Sequence, residues 1–335
     1  VRLAIIVRAD QTGLGYQTKS YYKHLKPHKT VVIDISNLNG NEQYYDWYKD
    51  AHIYKGIPND EQCRQIINDT DVLLTAETPY NLNLFKIARE NGVKTVCVEN
   101  PEFFDGFKYP QLQLPDLIIL PSVWKENEIR QFAEKRGTKV VQIHHPVDLN
   151  NFNYQTRKTH RFMHIAGTPA VLDRNGTWDF LQAKQDGIIT TQNEQLAKHI
   201  KMRYSRSRII TGVNDNRLLY TYGDILVMPR KYGGNCLPLN EALATGMPVI
   251  MPDIEPNNNI LPKEWLVRAN KTGYIEPRGE VVDIYSIDIQ QLKEKINWFE
   301  TQDIQKLSEQ AYEIAKTISW DTLKPKYFDV LEALL

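Results

Sequence analysis

The sequence predicts an α/β chain built as two doubly wound domains in tandem, and three observations predict it. Short β-branched apolar runs alternate with helical patterns; the alternation halts at a polar, proline-bearing stretch and then restarts; and a glycine pair joins one late run to a helix. Such sheets bind ligands beyond the carboxyl ends of their strands.

In the first half, Leu3 to Val7, Val31 to Ile35, Val72 to Thr75, Thr95 to Val98, Leu117 to Leu120 and Val140 to Ile143 read as buried strands. Helices are expected between them at Gln17 to Leu25, Asp60 to Asn68, Asn81 to Asn91 and Val123 to Lys135. The segment His144 to His160 has no apolar period and reads as a linker. Beyond it, strands are expected at Arg161 to Ile165, Gly187 to Thr191, Arg208 to Thr211, Ile225 to Met228, Val249 to Met251 and Leu266 to Ala269. Helices at Thr177 to Lys184, Glu194 to Met202, Asn216 to Tyr222 and Leu237 to Thr245 separate most of them. The tail from Ile289 to Leu335 reads as helical with a break near "TISWDTLKP", where Asp321 is a candidate cap for the last helix. The expected domains are therefore 1–150, 151–317 and a closing helix over 318–335.

Lys plus Arg and Asp plus Glu balance at 41 each, so no global field draws the chain to nucleic acid or an anionic membrane. Between Arg157 and Arg208, however, basic residues outnumber the acids Asp173, Asp179, Asp186 and Glu194, either as a solvated face or as a basic patch. Cys63, Cys97 and Cys236 are odd in number and share no metal-ligand spacing, which fits free thiols in a reducing cytoplasm. The apolar start, Leu3 to Val7, is too short to span a bilayer and lacks a cleavage pattern, so no stable membrane insertion is expected. His144 and His145 lack a third ligand at useful spacing, and Ser122 has no elbow motif around it.

The stretch "KYGGNCLPLNEALATGMPVIMPD", Lys231 to Asp253, carries the chemistry. Its glycine pair permits close backbone approach, Pro238 suits a first helical turn, and exposed amides with the helix dipole attract an anion such as phosphate. Glu241, one turn into that helix, suits sugar hydroxyls better than phosphate, because a carboxylate accepts hydrogen bonds and repels anions. A tight turn followed by a packing helix with a surface acid satisfies the same letters.

This stretch resembles the donor-binding signature of retaining GT-B glycosyltransferases of family four, Tyr-Glu-Gly-Phe-Gly-Leu-Pro-x-x-Glu-Ala-x-Ala-x-Gly-x-Pro-Val. "NDNRLLYTYGDILVMP" is similar to the run leading into that loop, "IHHPVDLNNF" to the interdomain segment, and "ISWDTLKPKYFDVL" to the family's closing helix. The resemblance implies a GT-B fold: two Rossmann-like domains facing a central cleft, with a C-terminal helix crossing back to the first. It implies a nucleotide-diphosphate sugar, UDP- or GDP-linked, as co-substrate and no essential metal. Consistently, the sequence has no Asp-x-Asp pair at a strand's end; Asp69 and Asp71 precede one.

By the same resemblance Glu241 matches the second acid of the family's Glu-x7-Glu motif, which binds ribose hydroxyls, while the first falls on Gly233. Tyr232, Gly233, Gly234, Asn235, Cys236 and Leu237 fall on the loop that contacts donor phosphate and sugar, and Val213 lies in the base-reading stretch Thr211 to Asp215. Arg174 matches the basic residue that neutralises the leaving diphosphate. Thr168 stands where a second basic residue is common, and Arg230 or Lys231, beside the glycine pair, is the candidate to replace the lost charge. Gly13 and Gly15 in "RADQTGLGYQT" resemble the glycine loop of the first domain; Thr18 in place of a third glycine excludes a dinucleotide fingerprint. That start is also similar to phage-encoded enzymes of the family.

Glu77 in "TAETPY" and Glu99 in "VENPE" follow first-domain strands and are candidates for orienting the acceptor, with Glu102 a weaker one. Glu99 as a capping or loop-surface acid is the alternative. Three functions remain open on the sequence: transfer of a sugar with retention to a hydroxyl of a glycan, small molecule or lipid head group; a phage-type enzyme glycosylating hydroxymethylated pyrimidine bases in DNA; and a non-catalytic nucleotide-sugar-binding protein. The expected setting is the cytoplasm of a bacterium or a phage-infected host cell, with no obligate protein partner.

Overall fold

The computed structural model describes residues 1–109, 111–167, 173–276 and 281–335. Thr168 lies outside them. The chain divides into two compact units, one holding Val1–His145 and Leu323–Leu335, the other Pro146–Ile275 and Val281–Thr322.

The first unit is a seven-stranded parallel sheet. Its strands are β1 (Leu3–Val7), β2 (Lys29–Asp34), β3 (His52–Lys55), β4 (Val72–Ala76), β5 (Lys94–Val98), β6 (Leu117–Leu120) and β7 (Lys139–Gln142), in the order β3-β2-β1-β4-β5-β6-β7. The helices of this stretch are α1 (Gly13–Leu25), α2 (Ser36–Asn39), α3 (Asp60–Ile67), α4 (Leu84–Glu90), α5 (Asp105–Lys108) and α6 (Glu126–Glu134). β1, β4 and β6 are buried along their whole length, as apolar strands covered on both faces must be. Ile6, Ile33, Ile66, Leu73, Leu84 and Phe85 share one core cluster, each contributing roughly 1.5–3 kcal/mol by leaving water.

The second unit repeats the plan with β8 (Phe162–Ile165), β9 (Ile188–Thr190), β10 (Arg208–Ile210), β11 (Ile225–Val227), β12 (Val249–Pro252) and β13 (Leu266–Val267), in the order β10-β9-β8-β11-β12-β13. Its helices are α7 (Thr177–Ala183), α8 (Glu194–Arg203), α9 (Asn216–Leu219), α10 (Leu237–Ala244), α11 (Ile289–Glu300) and α12 (Ile304–Thr317). The last helix, α13 (Trp320–Glu332), begins in this unit and places Tyr327 in the first, against Tyr21.

Four sequence expectations need correction. β3 was not expected, because as an edge strand it exposes most of its residues and carries no apolar run. An antiparallel pair, β14 (Ala269–Ile275) and β15 (Val282–Ile287), follows β13 where a single strand to Ala269 was expected; both are half-exposed and lack an apolar core run. α1 starts at Gly13 rather than Gln17, since Thr12 caps it by accepting from Gly15 N, which offsets the weak helical preference of two glycines. Ser319, not Asp321, sits ahead of α13: its Oγ accepts from Thr322 N at 3.3 Å, and Asp321 lies in the first turn.

The expected linker is packed rather than loose. Val147 pairs with Ser319, Phe152 is buried edge-on to Tyr220, and Arg157 is only 3% exposed. Its guanidinium donates to the carbonyls of Tyr220 (2.7 Å), Gly223 (2.8 Å) and Thr245 (3.0 Å). Both terminal nitrogens of Arg157 find acceptors inside the unit, so at this position polarity did not imply exposure.

Candidate functional site

An open α/β sheet presents a crevice where neighbouring strands send their connections to opposite sides. In the second unit that place lies between β8 and β11. The chain leaving β8 leads to Arg174 and α7; the chain leaving β11 leads through Pro229 to Asn235 into α10.

These two exits are joined tightly. Gly176 has φ 74°, and a Cβ placed there would lie 2.1 Å from the Pro229 carbonyl oxygen, so only glycine lets the α7 turn sit on the β11 exit. Arg174 Nη2 donates to the Gly233 carbonyl at 2.5 Å, the Arg174 guanidinium lies 4.6 Å from the centre of the Tyr232 ring, and Lys231 N donates to Arg174 O at 2.8 Å. At position 233, where the family motif carries an acid, a main-chain oxygen thus receives the arginine. Beneath them His164 joins the same elements, its ring nitrogens 2.8 Å from Val227 O and 3.0 Å from Thr177 Oγ1. Burial pushes this imidazole down to about 4, so it is neutral at pH 7.

Helix ends decide where an anion fits. The N-terminus of α7 is already occupied: Asp173, at φ 53°, accepts from Thr177 N and Trp178 N, each at 3.0 Å. α10 differs, for its Ncap is Cys236, whose side chain makes no capping bond, and Pro238 stands in its first turn. Gly234, at φ 103°, turns the buried loop Tyr232–Gly234 into that helix. The α10 end therefore keeps the positive pole and amide donors that bind phosphate.

Of the replacement cations considered, Arg230 is buried with Nη1 3.4 Å from Gly234 O, and Lys231 Nζ lies 3.8 Å from Asp179. Val213 is half-buried in the loop before α9.

Glu241, half-buried on α10, accepts from Asn216 Nδ2 at 3.2 Å and from the Tyr220 hydroxyl. Burial pushes its carboxyl up to about 7, while these two donors pull the other way. Neither partner was foreseen. Their spacing puts Asn216 and Tyr220 one turn apart, but no sequence signal ties them to an acid more than twenty residues on.

In the first unit the corresponding crevice lies between β1 and β4. Arg8 and Asp10 leave β1 as a buried ion pair, and Thr12 donates to Asp10 Oδ1 while capping α1. The missing Cβ of Gly15 is used by the chain itself, since it would fall 1.8 Å from Asp10 O, and the Gly15 amide is taken by Thr12 Oγ1 at 3.1 Å. Gly13 is the exposed first residue of α1. Glu77 leaves β4 half-exposed at φ 67°, with Tyr80 at φ 62° beyond it, two left-handed residues of the kind that cluster at working sites. Glu99 is no surface acid: it is 5% exposed and accepts from Cys97 Sγ at 3.2 Å, and Glu102 is buried as well. His145 is buried beside Tyr21 at 3.3 Å, with its imidazole pushed down to about 4 by burial.

Part of the basic run is engaged internally, while Lys158, Lys198, Lys201, Arg203 and Arg208 are exposed. Arg157 is buried, Arg161 pairs with Asp224 at 2.8 Å, Lys184 with Glu300 at 3.0 Å, and Arg206 donates to Gln185. All three cysteines are buried free thiols. Among the described residues no helix is long and apolar enough to cross a membrane, and no group of three His, Cys, Asp or Glu is placed to hold a metal ion.

No family model and no curated relative matches the chain. Solved structures do. A glycosyltransferase from Rickettsia africae superposes with a TM-score of 0.71 at 13% identity, covering 98% of this chain and 97% of its own. Sucrose-phosphate synthase from Thermosynechococcus elongatus gives 0.70 at 12%, covering 99% and 98%. Anabaena HepE in complex with UDP gives 0.70 at 12%, covering 99% and 100%. At such identities the likeness establishes architecture, and the architecture of this chain is the GT-B fold expected from its sequence.

Proposed function

We propose that the chain is a glycosyltransferase that moves a sugar from a nucleotide diphosphate to an acceptor hydroxyl with retention. One observation carries the reading: at the β8/β11 crevice Arg174, the Gly233–Gly234 loop and the N-terminal end of α10 come together, with Glu241 one turn further along the same helix. That is an anion site adjoining a hydroxyl acceptor, the chemistry of a ribose diphosphate. HepE of the same fold is described with UDP and with UDP-glucose.

In this reading the bond between the anomeric carbon and the diphosphate oxygen breaks and both electrons leave with the diphosphate. Arg174 and the α10 amides stabilise the added negative charge, each donor contributing roughly 3 kcal/mol. The acceptor oxygen bonds to the anomeric carbon on the same face, and its proton passes to the departing phosphate. No side-chain base is then required. Glu77, half-exposed at the β4 exit, is the candidate for orienting the acceptor hydroxyl, and Glu99 is buried beside Cys97. Three buried thiols fit work in the reducing cytoplasm.

For the DNA-modifying reading, Arg157, Arg161 and Lys184 are engaged in internal bonds, while Lys158, Lys198, Lys201, Arg203 and Arg208 stay exposed, and salt-sensitive binding to duplex DNA is its test. A panel of nucleotide sugars tested for thermal stabilisation decides the main reading. A bound donor at a hundred times its dissociation constant adds about 2.7 kcal/mol. A panel without any stabilising member contradicts it. Slow release of free sugar from the stabilising donor separates an enzyme from a binding protein.

A further inference from the structure

Glu241 is held by more than its own helix. Asn216 Nδ2 donates to one carboxylate oxygen at 3.2 Å and the Tyr220 hydroxyl to the other. An ionised carboxylate accepts about four hydrogen bonds, so each oxygen keeps room for one more donor. Two adjacent oxygens, each with one site open, match a vicinal diol.

Tyr220 is itself fixed. Its carbonyl receives Arg157 Nη1 at 2.7 Å, while Arg157 Nη2 donates to Thr245 O at 3.0 Å and Thr245 Oγ1 at 2.9 Å. Thr245 is the C-cap of α10, so one guanidinium braces the turn bearing Tyr220 and the helix bearing Glu241.

We propose that Asn216 and Tyr220 are positioning residues that keep the Glu241 carboxylate ionised and aimed at the vicinal hydroxyls of the donor's ribose, so that donor affinity rises with pH through neutrality. This rests on the donor-site reading above.

The surroundings of Glu241 account for such sensitivity. From α9 it meets the neutral Asn216, and from the residue that closes that helix the Tyr220 phenol, itself raised by burial; Asp215, ahead of them, pairs with Arg217. Cys236 lies near Tyr220 at the start of α10, and Arg157 reaches the carbonyl side of Tyr220 rather than the acid. β12 and α12, also packed on α10, bury apolar or small residues. Among the described residues no cation pairs with Glu241. Burial favours the protonated form, and the two neutral donors alone oppose it. Removing either moves the balance toward protonation, and a protonated acid offers the diol one acceptor fewer.

The test is calorimetric titration of a UDP-hexose and a GDP-hexose between pH 6 and pH 9, whose diphosphates do not titrate in that range. Wild type binds one of them about tenfold more tightly at pH 8 than at pH 6. Tyr220→Phe, nearly isosteric and leaving the carbonyl to Arg157, moves the midpoint of that rise to higher pH, and Asn216→Ala moves it the same way. The same nucleotide sugar on 2′,3′-dideoxyribose binds with little pH dependence. Weakening by an equal factor at every pH, or a midpoint unmoved in both variants, overturns the inference while leaving the donor site standing. Failure of both hexoses to bind at any pH overturns the donor site and this inference together.

Discussion

The two crevices are built alike and finished differently. In each, a glycine lets a helix settle on a strand exit: Gly15 against Asp10 O in the first unit, Gly176 against Pro229 O in the second. In the first, the arginine leaving β1 is neutralised by Asp10, and Thr12 closes the end of α1. In the second, Arg174 is anchored by a carbonyl and a ring face, and the Ncap residue of α10, Cys236, makes no side-chain capping bond. The exit from β4 in the first unit thus carries a half-exposed acid, Glu77, and the β8 and β11 exits of the second carry a cation and amides. A shared architecture does not assign ligands; helix caps and the partners of one arginine do.

The contrast can be broken at several points. The largest effect is expected at Arg174: Arg174→Ala lowers turnover about a hundredfold or more while donor affinity changes by less than tenfold. Steady-state kinetics beside donor titration measures both, and unchanged turnover contradicts the assignment.

Next comes pH. His145 in one unit and His164 in the other are held near 4, below an unfolded value near 6.5, so each contributes stability above that value that is lost as pH falls toward 4. Glu241, raised to about 7, acts oppositely, its contribution fading as pH rises from 4.5 to 7. Two histidines against one acid leave a net loss on the order of 3 kcal/mol between pH 6.5 and pH 4.5. Urea melts across that interval measure it, and Glu241→Gln steepens the loss.

Gly176→Ala is expected to cost about 2–3 kcal/mol, because the added carbon meets a carbonyl and the left-handed backbone disfavours it. It also weakens nucleotide-sugar stabilisation, whereas Gly15→Ala destabilises without that second effect. The smallest effect belongs to Glu77→Gln, which raises the acceptor KM about tenfold and leaves donor stabilisation unchanged.

Much of this plan was legible in the letters. Buried parallel strands such as β1 and β4 announce themselves as short apolar runs, and the Gly-Gly loop with Glu241 carries its chemistry in adjacent residues. What escaped was decided by distance or exposure. β3 sits at a sheet edge with polar side chains. Arg157 looked like linker because its partners lie 63 to 88 residues away, and the partners of Glu241 lie 21 and 25 residues before it. The exposed-acid alternative for Glu99 failed for the same reason: burial beside Cys97 depends on the neighbouring strands.

The most direct test compares donor-induced thermal stabilisation in wild type, Glu241→Gln and Glu77→Gln. Loss of most of the shift in Glu241→Gln, with the full shift kept in Glu77→Gln, is the result the two-crevice account predicts. A full shift in Glu241→Gln together with a lost shift in Glu77→Gln would place the nucleotide in the other unit and contradict it.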